Sequence, residues 1–192
     1  MSRRARIERA TSETRVVMEV DLDEAPHGRI ATGLPFFDHM LTAMAFHGKF
    51  DLSVEGTGDL DVDPHHLVED CGIVLGTCLE KIFREGGPVR RFAHAVIPMD
   101  EALAEATIDV CGRPTLIYRA DLPQPHAGSF PLWLLREFFG GLSTGARCAL
   151  HLECRYGENA HHMAEALFKA LGKVLSGAYA SADDEMSTKG AI

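Results

Sequence analysis

A chain of 192 residues can close one domain, or two fused halves, around a sizeable core, and 46% hydrophobic with 24% charged residues is ordinary for a soluble globular protein. No apolar run reaches the length of a membrane span. A formal net charge of −9 argues against nucleic acid as a partner, because a phosphate backbone is met by a basic surface, so any anionic ligand must be held by local cations.

In chain order, strands are expected over Ala5–Thr11, Thr14–Leu22 and His27–Ala31; in the second, Val16, Met18, Val20 and Leu22 alternate with the opposite face. A short apolar helix follows from Pro35 to His47, stopped by Gly48, then an alternating strand through Phe50–Val54. A long helix opens after Asp63, carries Leu67, Cys71, Val74, Leu75, Cys78 and Ile82 on one face, and ends at Gly86-Gly87. The plan then recurs. Strands are expected over Val89–Ile97, Ala102–Val110 and Pro114–Ala120, a short helix over Phe130–Thr144 stopped by Gly145, and a strand over Ala149–Cys154. A last helix carries Met163, Leu167, Leu171, Val174 and Leu175 on one face, with Gly177 near its end.

Both halves, residues 1–87 and 88–192, therefore read β-β-β-α-β-α, an α+β fold of duplicated sheets with helices packed on one face, the two halves forming one compact functional domain. No apolar signal core follows Met1-Ser2-Arg3-Arg4. Five cysteines (Cys71, Cys78, Cys111, Cys148, Cys154) without Cys-x-x-Cys spacing suit a reducing compartment, so a cytoplasmic location is expected, with the thiols buried as small apolar groups.

The repeat is sharpest where chemistry is possible. His65-His66-Leu67-Val68-Glu69 recurs 96 residues later as His161-His162-Met163-Ala164-Glu165, each copy just after a cap-like residue, Asp63 or Asn159. One step along a helix turns a side chain by about 100°, so adjacent histidines diverge, and the glutamate one turn on can share a face with only one of them. A single helix cannot close all three around one ion. Two ions, each drawing ligands from several elements, fit the pattern better. Imidazole and carboxylate without thiolate suit Mn²⁺, Fe²⁺ or Zn²⁺. His39 and Glu137, 26 and 24 residues before their respective histidine pairs, bring the candidate ligands to eight, or four per ion, which leaves open positions for substrate or water.

Six segments carry a resemblance that spans the chain in order: Phe36-Phe37-Asp38-His39-Met40-Leu41, Asp63 to Asp70, Met99-Asp100-Glu101-Ala102-Leu103, Gly112-Arg113-Pro114, Asn159 to Ala170, and Ser187-Thr188-Lys189-Gly190. Together they resemble the imidazoleglycerol-phosphate dehydratases of histidine biosynthesis. The resemblance implies dehydration of imidazoleglycerol phosphate to imidazoleacetol phosphate and two Mn²⁺ per active site. It also implies a homo-oligomer of twenty-four chains whose metal sites are shared between subunits. It groups His65, Glu69, His161 and Glu137 about one ion, and His39, His66, His162 and Glu165 about the other. Many members carry histidine where this chain has Glu137, a change that adds negative charge to that site.

The resemblance further implies that Glu13 contacts substrate and is the first choice for acid/base work, with Glu165 beside it; His47, Asp100 and Glu101 are weaker candidates. Substrate contacts are implied for His39, His47, His65 and His161, and phosphate contacts for Arg91, Arg113, Lys169, Ser187, Thr188 and Lys189. The tail bearing the last three is expected to order over bound substrate. Two other classes meet part of the pattern. A di-metal phosphoester hydrolase would release inorganic phosphate, and a metal-storage assembly would bind ions without turnover.

Overall fold

The computed structural model describes residues 3–183. Its first sheet has the order β1-β2-β4-β3, built from β1 (Arg4–Ala10), β2 (Thr14–Asp21), β3 (Ile30–Ala31) and β4 (Asp51–Gly58). The second has the order β5-β6-β10-β7, from β5 (Phe92–Met99), β6 (Ala102–Asp109), β7 (Thr115–Arg119) and β10 (Ala149–Tyr156). In each sheet the third strand of the half lies parallel beside the fourth, β3 on β4 and β7 on β10, while the others pair antiparallel. The duplication expected from the sequence is thus present in the topology.

Helices α1 (Pro35–Gly48) and α2 (His65–Gly86) pack on the inner face of the first sheet, and α3 (Leu134–Ala146) and α4 (Ala160–Ala178) on that of the second. Alternation dictates this: Val16, Met18, Val20, Leu52 and Val54 point inward from the first sheet, and Ala104, Ala106, Ile108, Leu150 and Leu152 from the second, all nearly inaccessible to water. The helix layers then face one another, so both halves share one continuous apolar core.

The helix pairing crosses the duplication. α1 packs on α4, and α3 packs on α2. Both contacts run through glycine. A Cβ added at Gly172 would lie 2.1 Å from the Met44 carbonyl oxygen, one at Gly72 2.2 Å from that of Phe138, and one at Gly145 2.4 Å from that of Ile73. Without side chains at these points the helix backbones touch, and the residues that flank each contact are fixed in register. Gly72→Ala gains about 1 kcal/mol of helix propensity. The overlap with backbone at 2.2 Å cannot relax by a rotamer change, and such overpacking costs about 1–3 kcal/mol. Net destabilisation is therefore the expected result, read as an earlier denaturant midpoint, and a midpoint at or above that of the parent would show that the helices can move apart freely.

Several expected boundaries are corrected for identifiable reasons. Gly48 and Gly145 do not stop their helices; each lies within its helix at a close contact, and Lys49 (φ 58°) and Arg147 (φ 51°) take the left-handed turn that follows. α3 starts at Leu134, not at Phe130, because Phe130-Pro131 (β9) instead pairs with His126-Ala127 (β8) in a small hairpin, and a residue before proline is steered away from helical backbone. The third strand shrinks to Ile30–Ala31, since the His27 and Gly28 N–H groups donate to Asp51 Oδ1 at 2.7 and 2.6 Å rather than to a neighbouring strand. β5 starts at Phe92 because Val89 bridges to Ser181 instead.

Cys71, Cys78, Cys111 and Cys148 are buried and Cys154 half-buried, all unpaired. Burial pushes the Cys78 and Cys148 thiols up to about 12, which makes them inert apolar fillers rather than nucleophiles. Among the described residues no helix is long and apolar enough to cross a membrane.

Candidate metal and substrate site

The two histidine-pair motifs open α2 and α4, and each start is fastened alike. Asp63 Oδ1 accepts from the His65 N–H at 2.6 Å, and Asn159 Oδ1 from the His161 N–H at 2.9 Å. Gln124, from the loop after β7, adds a clamp that the sequence did not reveal: its Oε1 accepts from the Ala160 N–H at 2.6 Å, while its amide donates to the Glu158 carbonyl at 3.0 Å.

Because α1 runs alongside α4, His39 arrives beside the second motif. His39 Nε2 and His161 Nε2 each lie 3.3 Å from Glu165 Oε2, and the three donor atoms fall within 4.8 Å of one another. Adjacent ligands of a six-coordinate ion with bonds of about 2.1 Å stand about 3 Å apart, so this spacing already approximates two edges of such a shell. Lys169 Nζ donates to Glu165 Oε1 at 2.8 Å, which leaves Oε2 for the imidazoles. Burial works to raise the Glu165 carboxyl, but the hydrogen bond and charge of Lys169, with His39, outweigh it and hold the group below its ordinary value. It is an anion beside two imidazole nitrogens, as a metal requires. Within one chain His161 thus stands with His39 and Glu165; the grouping of His161 with His65 and Glu69 that the resemblance implied is one shared between subunits.

The second histidine of each motif has a carboxylate partner. His162 Nδ1 lies 2.7 Å from Glu101 Oε2, and His66 Nδ1 3.1 Å from Asp59 Oδ2. Either contact assigns the Nδ1 proton to the carboxylate side and leaves Nε2 for a ligand. The hydrogen bonds raise both imidazoles above their usual value, and His162 draws Glu101 down to about 2. Glu101, weighed from sequence as an acid/base, is committed further: it also accepts from the Glu158 and Asn159 N–H groups at 3.1 and 2.8 Å. These contacts orient the His162 ring and fasten the start of α4. Glu101→Gln should lower metal affinity about 10–100-fold, measured by competition with a fluorescent chelator. Because both imidazoles hold a proton above their ordinary range, acidification should weaken metal uptake through that range in the parent as well.

The first motif is more open. His65 Nε2 lies 3.9 Å from Glu69 Oε2, and the exposed Trp133, unremarked in the sequence, sets its ring edge-on to His65 at 5.5 Å. Glu137 sits on α3 one turn before Gly141, whose missing Cβ would lie 2.6 Å from the Glu69 carbonyl oxygen. The packing of α3 on α2 so mirrors that of α1 on α4, and Glu137 occupies the place on α3 that His39 holds on α1. Among the described residues only His39, His161 and Glu165 form a group of three donor atoms this close.

Glu13 lies in the β1–β2 turn with Oε2 3.8 Å from His66 Nδ1. His47 ends α1 and is held below its ordinary value first by partial burial and then by the charges of Lys169 and Lys173. Asp100 takes φ 47° in the β5–β6 turn, and its Oδ2 is 3.7 Å from His162 Nε2. An open cleft of about 830 Å³ adjoins the second motif, lined among others by Phe36, Glu101, His126, His161 and His162.

Of the expected phosphate ligands, Lys169 is at the cluster. Arg91 and Arg113 are not. The Arg91 N–H donates to Ala178, the last residue of α4, about 26 Å along that helix from His161, and its side chain pairs with Asp109 at 2.7 Å. Arg113 follows the same far end of β6. Within one chain these arginines stand apart from the histidine motifs. Ser187, Thr188 and Lys189 lie outside the described residues.

The family model described as imidazoleglycerol-phosphate dehydratase matches residues 32–175. Imidazoleglycerol-phosphate dehydratases of Citrifermentans bemidjiense and Trichlorobacter lovleyi are 45% and 46% identical, each alignment covering 100% of both chains. The crystal structure of the enzyme from Pyrococcus furiosus in complex with (S)-C348 superposes with a TM-score of 0.87 at 38% identity, covering 97% of this chain and 100% of that one. That of the Staphylococcus aureus enzyme gives 0.84 at 34% identity, covering 93% and 99%. The chain belongs to the imidazoleglycerol-phosphate dehydratase family, hydro-lyases of histidine biosynthesis.

Proposed function

We infer that this chain, in the cytoplasm, dehydrates imidazoleglycerol phosphate to imidazoleacetol phosphate at a site holding two divalent cations, Mn²⁺ by resemblance. The observation that carries the reading is the convergence of His39, His161 and Glu165 on donor separations suited to an ion, in a member of this family. Their chemistry fits the metal. When bound, such cations would supply Lewis acidity that favours the deprotonated form of the substrate ring.

The remaining work falls to the protein. The hydrogen to be lost is not next to a carbonyl, so it lacks the usual acidification. An electron-rich ring can instead expel the hydroxyl on the carbon beside it, which takes up the proton given up by the ring, leaves as water and gives a diazafulvene-like species. The C–H on the next carbon is then acidic. Glu13 removes that proton, and the enol so formed takes up a proton at carbon and gives up its O–H proton to the ring, becoming the ketone. His39, His161 and Glu165 would hold one ion, and His65, His66, Glu69, Glu137 and His162 would complete the two coordination shells in the assembled oligomer. Asp59 and Glu101 fix the rings of His66 and His162. Lys169, and in the assembled oligomer of twenty-four chains Arg91 and Arg113 of a neighbouring copy, receive the phosphate; Ser187, Thr188 and Lys189 join them on the resemblance alone.

The test is an assay of chelator-stripped and Mn²⁺-reloaded protein with imidazoleglycerol phosphate. Metal-dependent ketone with phosphate still attached supports the reading. Release of inorganic phosphate would move the protein to the hydrolases, and metal binding without product to storage.

A further inference from the structure

Three carboxylates are buried among the described residues: Asp51, Asp70 and Glu165. Glu165 stands in the cluster and Asp51 accepts from the loop before β3. Asp70 has no part in either. It lies on α2 one residue after Glu69 and one turn after His66, turned toward the first sheet.

Its two oxygens are divided between the two strands of one hairpin. Oδ1 accepts from Arg9 Nε on β1 at 2.8 Å, and Oδ2 accepts a short hydrogen bond from the Thr14 hydroxyl on β2. Thr14 is itself 5% exposed. Between these two anchors runs the turn that carries Glu13, closed on Thr11: Thr11 Oγ1 accepts from the N–H groups of Glu13 and Thr14 at 3.1 and 3.0 Å, and the Thr11 N–H donates to the Thr14 carbonyl at 2.9 Å. His66 and Asp70 share a helix face, so the turn lies along that face with Thr14 held at Asp70 and Glu13 beside His66.

The second half solves the matching problem differently. At the repeat position of Asp70 stands buried Ala166, and the turn carboxylate there, Glu101, is held by its own contacts to His162 and two backbone N–H groups. Among the described residues Glu13 has no such contacts at its tip; the nearest basic atom there is His66 Nδ1 at 3.8 Å, and the side chain is half-exposed. Its backbone is fixed from beneath while its carboxylate stays free.

We propose that Asp70 is a positioning residue for the dehydration: it grips the β1–β2 hairpin on both sides of its turn and so sets the distance from the Glu13 carboxylate to the helix that presents His66 and Glu69. This rests on Glu13 being the proton-moving carboxylate. The test uses the full-length, Mn²⁺-loaded protein and measures kcat, KM, metal content and amide hydrogen exchange in residues 11–14 for Thr14→Val, Thr14→Ser and Asp70→Asn. Misplacing a reacting group by about 1 Å costs up to about a hundredfold, so Thr14→Val should lower kcat roughly ten- to a hundredfold with KM and metal content held within about twofold. Exchange in the turn should quicken, and Thr14→Ser, which keeps the donor, should recover most of kcat. Asp70→Asn keeps the shape without the charge and should fall between; it decides the matter if Thr14→Val does not fold. A loosened turn with kcat unchanged overturns the proposal, as does a loss that follows metal content or is equally severe in Thr14→Ser. Glu13→Gln separates the two levels. Retained turnover there removes the acid/base reading itself, whereas an inactive Glu13→Gln beside an unimpaired Thr14→Val removes only the role of Asp70.

Discussion

His161→Ala is expected to lower turnover by about three orders of magnitude, roughly 4 kcal/mol of transition-state stabilisation, and to lower bound metal with it. The argument is geometric. His161 Nε2 and His39 Nε2 flank one oxygen of Glu165 at 3.3 Å each, so deleting the imidazole removes one donor of the three and leaves the carboxylate and His39 to hold the ion. Little else should change. The helix start is fastened by Asn159 to the His161 backbone N–H, which alanine retains, and alanine is a better helix former than histidine. Metal content by elemental analysis, together with the thermal midpoint of metal-free protein, distinguishes ligand loss from unfolding. Undiminished metal with undiminished turnover would remove the cluster from the site.

Glu13→Gln should do the reverse: metal retained, kcat reduced about 10²–10⁴-fold, KM little altered, because a general base is lost while shape and hydrogen-bonding capacity are kept. Glu13 approaches His66 at 3.8 Å without bonding to it, so its amide should leave the His66–Asp59 contact at 3.1 Å intact. Paired measurements on both variants therefore separate holding the ion from moving the proton. Equal loss of metal in both would mean that Glu13 belongs to the ligand set instead.

The fold was largely legible because its signals are periodic. Alternation in Val16, Met18 and Val20 and the one-sided stripe of α2 are consequences of burying one face, which any sheet or helix must do locally. Boundaries were missed where glycine had a second use. Gly48 and Gly145 look like stops in sequence, yet their lack of a Cβ serves contact with a partner helix far along the chain, and that partner cannot be read locally. Phe130 falls inside the expected helix although Pro131 argues for extended backbone there.

At the site, residue types and their spacing on one helix were enough to find the two motifs and to show that neither could close around an ion by itself, since both conclusions need only the rotation per residue. The grouping was not available. His39 joins His161 and Glu165 because α1 packs on α4 at Gly48 and Gly172. Asp59 and Gln124 gave no signal, and Asp70 entered only as the end of a motif segment, for a carboxylate or amide that orients another group has no pattern of its own. Periodicity, repeat and chemistry are properties of short stretches and were determined by the sequence alone. Which helix lies against which, and so which imidazole meets which carboxylate, depends on close packing between segments far apart along the chain, and only the tertiary structure decided it.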